Sequence, residues 1–150
     1  MALTPTKPIP LGFAAPDFEL TDQISNKTLT FKDIQGEKGT LVMFICNHCP
    51  YVKHVINELV CIGKEYLPKG IGMVAINSND AKNYPEDSPE KMKQFAADHD
   101  FPFPYLTMKH KKWPRLLMLP ARLISIYLMP KTAVFIADNL IAAGQEMKCL

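Results

Sequence analysis

Two cysteines two residues apart, Cys46-Asn47-His48-Cys49, stand where an apolar run gives way to a helix-opening proline, Pro50. Thiols at that spacing reach each other within one helical turn. They can cycle between dithiol and disulfide, exchanging electrons with a partner disulfide through a mixed-disulfide intermediate. Amides and dipole at a helix start favour an anion, so a thiol there is expected to ionise below the ordinary cysteine range. His48 adds a donor, and when protonated a charge, beside the sulfurs.

Two plainer readings of the pair stay open. A structural zinc site usually needs four ligands, and only His54 and Cys61 stand near enough to complete one. The pair could also be two inert thiols. Cys61 lies off the apolar stripe of its helix and reads as a spectator, as does Cys149 beside the terminus. His54 reads as a solvated helix residue.

The elements that position the pair follow from apolar periodicity. Gly39 to Cys46 (G-T-L-V-M-F-I-C) is nearly all apolar, as a strand buried on both faces requires. A helix is predicted from about Cys49 to Leu67, with Val52, Val55, Ile56, Leu59, Ile62 and Tyr66 on one stripe. Pro50 suits its first turn and Pro68-Lys69-Gly70 ends it. Ile71 to Ser78 is a second buried strand, so strand, helix and strand form a βαβ unit. After a polar loop, Ser88-Pro89-Glu90 opens another helix, with Met92, Phe95 and Ala96 facing the core. Before the unit, Asp17 to Asp22 and Lys27 to Ile34 alternate apolar and polar around Ser25-Asn26 and read as a hairpin. The four prolines of residues 1–16 suggest an extended arm.

The bulk properties narrow the function. A chain of 150 residues, 47% hydrophobic, suits one globular domain, residues 17–150 after the arm. A net charge of +2 gives no electrostatic case for nucleic acid or an anionic membrane. No apolar run reaches the roughly eighteen residues of a membrane span. Met1 to Pro10 lacks a basic segment followed by an apolar one, so no export signal is read and the expected location is the cytoplasm. A close cysteine pair there is more often catalytic or metal-binding than structural.

Gly12 to Leu20 (G-F-A-A-P-D-F-E-L) resembles the opening of peroxiredoxins and redoxins. Gly39 to Val52 (G-T-L-V-M-F-I-C-N-H-C-P-Y-V) resembles the peroxiredoxin-like, AhpC/TSA-type branch of the thioredoxin superfamily that carries a CxxC. The resemblance runs from about Gly12 to Thr107. It implies an α/β thioredoxin-like fold with an N-terminal β-hairpin extension. It also makes Cys46 the attacking cysteine and Cys49 its resolving partner. Cys49 matches the peroxidatic cysteine of peroxiredoxins as well, but Cys46 and Val42 replace the threonine and proline those enzymes place three and seven residues earlier. That threonine helps organise peroxide, so its loss argues against efficient peroxidase activity. A stabilised thiolate would put the redox potential above that of a reducing thioredoxin.

After Thr107 the pattern changes. Met108 to Tyr127 is basic and then apolar, is broken by Pro114 and Pro120, and holds no acidic residue. The family continues at this point with an acidic helix and a threonine-proline pair whose cis peptide packs on the CxxC. Back-translating Met108 to Thr132 and reading one base earlier permits D-E-T-Q-E-V-A-K-A and then D-A-A-C-T-P-D-F-Y-I-F-D-A-E-N, which resembles the missing segment. A frameshift near Thr107 is therefore expected to have replaced the last strands and helix, leaving a sheet edge open. Taken literally, Met129 to Asp138 supplies the later strand, with Pro130 as the substrate-presenting proline and Leu140 to Gln145 pairing back.

The function expected is a thiol–disulfide oxidoreductase in which Cys46 attacks, Cys49 resolves and His48 tunes the thiolates. The sulfurs carry the chemistry themselves, without cofactor or metal. The partners expected are protein or small-molecule disulfides and thiols, with peroxides a further option. The alternatives are a thiol peroxidase using Cys49 and a frameshifted, non-catalytic product.

Overall fold

The computed structural model describes residues 17–108 and, farther along, the backbone of residues 125–129 and 135–137. The arm at 1–16 lies outside these residues, as does Leu140 to Gln145. Among the described residues seven strands form one sheet, in the spatial order β2 (Thr28–Thr30), β1 (Glu19–Asp22), β5 (Tyr105–Thr107), β4 (Ile71–Asn77), β3 (Gly39–Phe44), β6 (Ser125–Met129) and β7 (Phe135–Ala137). Its centre is the parallel pair β3 (Gly39–Phe44) and β4 (Ile71–Asn77), in register at Val42 and Val74. Helix α2 (Pro50–Tyr66) makes the connection between them, completing the βαβ unit. Helix α3 (Pro89–Asp98) leads to β5 (Tyr105–Thr107), parallel to β4. The Ser88 hydroxyl accepts the Lys91 amide, so the expected N-cap of α3 is present.

Side chains alternate across the two central strands and divide the core. Met43, Ile45, Met73 and Ala75 face α2 and α3, where Val52, Ile56, Leu59, Met92 and Ala96 meet them. Val42, Phe44, Val74 and Ile76 face the opposite side. That second face is covered by the N-terminal hairpin and the short helix after it, through Phe18, Leu20, Leu29, Phe31 and Ile34, with Met108 added from beyond β5. The two-sided burial inferred for β3 is thus correct, but among the described residues the long helices cover only one side.

Strands β1 (Glu19–Asp22) and β2 (Thr28–Thr30) form the hairpin, with Leu20 opposite Leu29. Asp22 accepts the Ile24 and Ser25 amides, and Asn26 supplies a positive φ of 58° that asparagine tolerates. The second strand is shorter than the alternation suggested. Asp33 accepts both the amide and the hydroxyl of Thr30, so Phe31–Ile34 becomes a one-turn helix, α1. This Thr-x-x-Asp capping box favours the helix over further strand.

The apolar stripe of α2 also needs correction at its end. Val60 and Gly63 are buried, whereas Tyr66 is exposed and carries Lys69 Nζ 4.7 Å from its ring centroid. Over four turns a period of 3.6 residues rotates the buried face past position 66. The sheet itself requires glycine at two adjoining points. A Cβ on Gly72 would stand 1.9 Å from the Ile34 carbonyl oxygen, and one on Gly36 would stand 2.1 Å from the Gly72 nitrogen.

Beyond Thr107 the chain still adds strands. β6 (Ser125–Met129) runs antiparallel to β3, with Tyr127 opposite Val42, and β7 (Phe135–Ala137) pairs with β6. The edge of β3 is therefore covered, contrary to the open edge expected. The literal assignment of the later strand also moves. The neighbour of β3 ends at Met129 instead of beginning there, and the strand after Pro130 lies one position farther out. Pro130 itself lies outside the described residues. An apolar Ser-Ile-Tyr-Leu-Met stretch meets the demand of β3 for a hydrogen-bonded partner, which local pattern alone did not reveal. No helix among the described residues is long and apolar enough to cross a membrane.

Candidate functional site

The site forms at the carboxyl ends of β3 and β4, where loops leaving parallel strands commonly bind ligands. β3 ends at Phe44, and Cys49 is the N-cap of α2, with Pro50 in the first turn. Cys46 and Cys49 are both free and half-buried, and Cys49 packs on the core under α2. Cys61, three turns along α2, is disulfide-bonded, so it is not the bystander thiol expected.

Asn47, between the cysteines, is buried. Its amide donates to Asp87 Oδ1 at 2.7 Å, its Nδ2 to the Glu86 carbonyl at 2.8 Å, and its Oδ1 accepts the Tyr105 hydroxyl at 3.0 Å. Tyr105 is itself fully buried and also accepts Asn77 Nδ2 at 3.4 Å. Burial, then the Asp87 and Cys46 charges, oppose ionisation of this phenol and hold it well above the ordinary tyrosine range. The CxxC loop is thus fixed through its first intervening residue.

The second intervening residue, His48, is turned outward but held. Its Nδ1 lies 2.7 Å from Asp87 Oδ2, and its ring stacks on Tyr84 with centroids 4.9 Å apart and planes inclined by 8°. Asp87 Oδ2 also accepts Asn79 Nδ2 at 2.9 Å. The Asp87 side chain is completely buried, so this carboxylate is surrounded by donors from Asn47, His48 and Asn79. Among the described residues no buried side-chain polar atom lacks a partner.

Cys46 does not behave as a helix-start cysteine was expected to. Its thiol is pushed up to about 12, first by burial, then by the negative charges of Asp87 and Cys49. The Cys49 amide and the Asn79 side chain favour the thiolate but do not outweigh those effects. Burial of the sulfur, with the Asp87 carboxylate across the loop, thus overrides the helix terminus.

Donor atoms of Cys46, His48 and Asp87 all lie within 4.8 Å of one another. His54 and Cys61, the residues that would have completed a zinc site, are not in this group, and His48 and Asp87 are bonded to each other. His54 is exposed on α2.

Composition and spacing singled out Cys46, His48 and Cys49 but passed over Asp87, Asn79, Asn47, Tyr84 and Tyr105. The segment from Asn77 to Ser88 reads as an ordinary polar loop. Its signal was position: Asn77-Ser78-Asn79 follows a buried parallel strand directly, and Pro85-Glu86-Asp87 immediately precedes the α3 cap.

Comparison with known proteins agrees with this architecture. A model described as the AhpC/TSA family matches residues 11–141, continuing beyond Thr107 where the sequence resemblance stops. The crystal structure of an uncharacterized conserved protein from Geobacillus kaustophilus is 38% identical, with a TM-score of 0.85 over 96% of this chain and 78% of that one. The exposed lipoprotein thioredoxin of Streptococcus pneumoniae is 19% identical, with a TM-score of 0.67 over 84% of this chain and 91% of that one. A secreted disulfide oxidoreductase of Mycobacterium tuberculosis, homologous to Escherichia coli DsbE, is 15% identical, with a TM-score of 0.68 over 85% of this chain and 87% of that one. The last two likenesses establish the thioredoxin-like fold. No curated protein matches the chain.

Proposed function

From the premise that this chain belongs to the AhpC/TSA family, we propose that it is a thiol–disulfide oxidoreductase cycling Cys46 and Cys49 between dithiol and disulfide. The observation that carries this reading is the placement of two free, half-buried thiols at the junction of β3 and α2, in a loop fixed by buried hydrogen bonds. Such fixation holds reacting atoms near their productive geometry and lowers the entropy cost of exchange.

In the reductive direction the Cys46 sulfur attacks one sulfur of a partner disulfide. The partner's S–S bond breaks and its second sulfur leaves with the electron pair, taking up the proton that Cys46 gave. The Cys49 sulfur then attacks Cys46 in the mixed disulfide, and the remaining partner thiol leaves with the Cys49 proton. Two electrons and two protons pass from the dithiol to the partner. The substrates proposed are protein or small-molecule disulfides; in reverse, they are thiols.

Reduced protein mixed with oxidised insulin tests the reading. Wild type is expected to reduce it, and Cys46→Ser to lose that activity. Peroxide consumption that survives Cys46→Ser would move the chemistry to Cys49 and overturn the exchange reading.

A further inference from the structure

We infer that Asp87 and His48 form a proton-handling pair for Cys46, with His48 as the base and Asp87 as the residue that positions it. The inference rests on the exchange reading of the CxxC and adds the route taken by the proton. A carboxylate can only accept, so the hydrogen in the 2.7 Å contact belongs to His48 Nδ1. That leaves the lone pair on Nε2, the atom that accepts a proton when the ring is oriented by a carboxylate. The stacked Tyr84 ring restricts rotation of the imidazole, and Asp87 is itself fixed by Asn47 and Asn79. One of the two ring nitrogens and an Asp87 oxygen stand within 4.8 Å of the Cys46 sulfur, so one bridging water is enough to carry the thiol proton to Nε2.

The chemistry of the site calls for such a base. Burial, Asp87 and Cys49 disfavour a free Cys46 thiolate, so attack at neutral pH requires a nearby group to take the proton. The Cys46 proton moves to His48 as its sulfur bonds to the partner sulfur. The imidazolium, balanced by Asp87, then gives that proton to the departing thiolate. Cys46 thiol and partner disulfide become mixed disulfide and partner thiol, with the imidazole unchanged. Other titratable or charged groups around the pair are Cys49 at the start of α2, Tyr84 and Glu86 on the Asp87 segment, and Tyr105 on β5. Glu86 is engaged by Lys91 and influenced by Lys53.

The test is mixed-disulfide formation between the reduced full chain and oxidised glutathione, quenched and followed by mass from pH 5 to 9, alongside iodoacetamide alkylation of Cys46. In wild type both rates should rise with pH less steeply than the Cys46 thiolate fraction, because His48 takes the proton. His48→Gln, a change at an exposed side chain, should leave both rates rising about tenfold per pH unit, in step with the thiolate fraction. Asp87→Asn should slow exchange at pH 7 by about tenfold to a hundredfold. The same variant should alkylate faster than wild type at pH 9, because the opposing charge is gone, whereas a merely structural role would slow both. Asp87→Glu should restore part of the exchange rate. An unchanged pH profile in His48→Gln, or parallel slowing of both reactions in Asp87→Asn, overturns the inference. If wild type reduces no disulfide at any pH, the exchange reading falls, while the alkylation profiles still decide whether the pair handles the proton.

Discussion

Asp87, with no exposed side-chain surface, meets His48 at 2.7 Å across a sequence separation of 39 residues. The contact joins the CxxC loop to the segment after β4 and places a negative charge within 4.8 Å of the Cys46 sulfur. Two of the following predictions concern the consequence of that charge.

The first is the redox potential. The dithiol is a strong oxidant when disulfide only if its thiolate is stabilised, and here Cys46 is pushed to about 12 by burial and Asp87. The potential is accordingly expected nearer the roughly −270 mV of a reducing thioredoxin than the roughly −120 mV of DsbA. This reverses the expectation drawn from the helix terminus. Equilibration with glutathione measures it, and a value near that of DsbA would refute the electrostatic account.

The second is stability against pH. The folded Cys46 thiol holds its proton to about 12, against an ordinary value of 9.0, so the folded reduced protein binds the proton more tightly than the unfolded chain. Its contribution is complete below about pH 9 and is lost as pH rises through 12. The urea midpoint of reduced wild type should therefore fall more between pH 8 and pH 10 than that of Cys46→Ser. Equal falls would count against the assigned burial.

Gly72→Ala should destabilise the fold by about 3 kcal/mol, at the upper end of overpacking costs. The obstacle to its Cβ is the Ile34 backbone oxygen at 1.9 Å, which cannot rotate away as a side chain would. Urea denaturation reads this directly, and a change below about 1 kcal/mol would mean that the chain after α1 is free to shift.

Tyr105→Phe removes the hydroxyl that donates to Asn47 Oδ1 and leaves a buried acceptor without that donor. A cost of about 1–3 kcal/mol is expected, together with faster amide exchange in the Cys46–Cys49 loop. Unaltered loop exchange would show that the Asp87 and Glu86 contacts fix Asn47 by themselves.

The coding DNA carries the last prediction. Reading one base earlier from Met108 should give the acidic helix and threonine-proline segment of the family, with a single-base insertion or deletion near Thr107. Sequence around that codon without the alternative reading would end the idea.

The βαβ unit, the α3 cap and the position of Cys46 and Cys49 at the strand-to-helix junction were legible in the order of the residues. Those features depend on apolar periodicity, proline and capping residues within a few turns of each other. What surrounds the sulfurs came from folding in three dimensions. Asp87, Asn79 and Tyr105 reach Cys46 and its loop because β4 and β5 lie in parallel order beside β3. The direction of the Cys46 shift followed from that convergence, which buries the sulfur and sets the Asp87 charge near it whatever their separation along the chain. The strand beside β3 was likewise decided by an open hydrogen-bonding edge, which a local pattern does not encode.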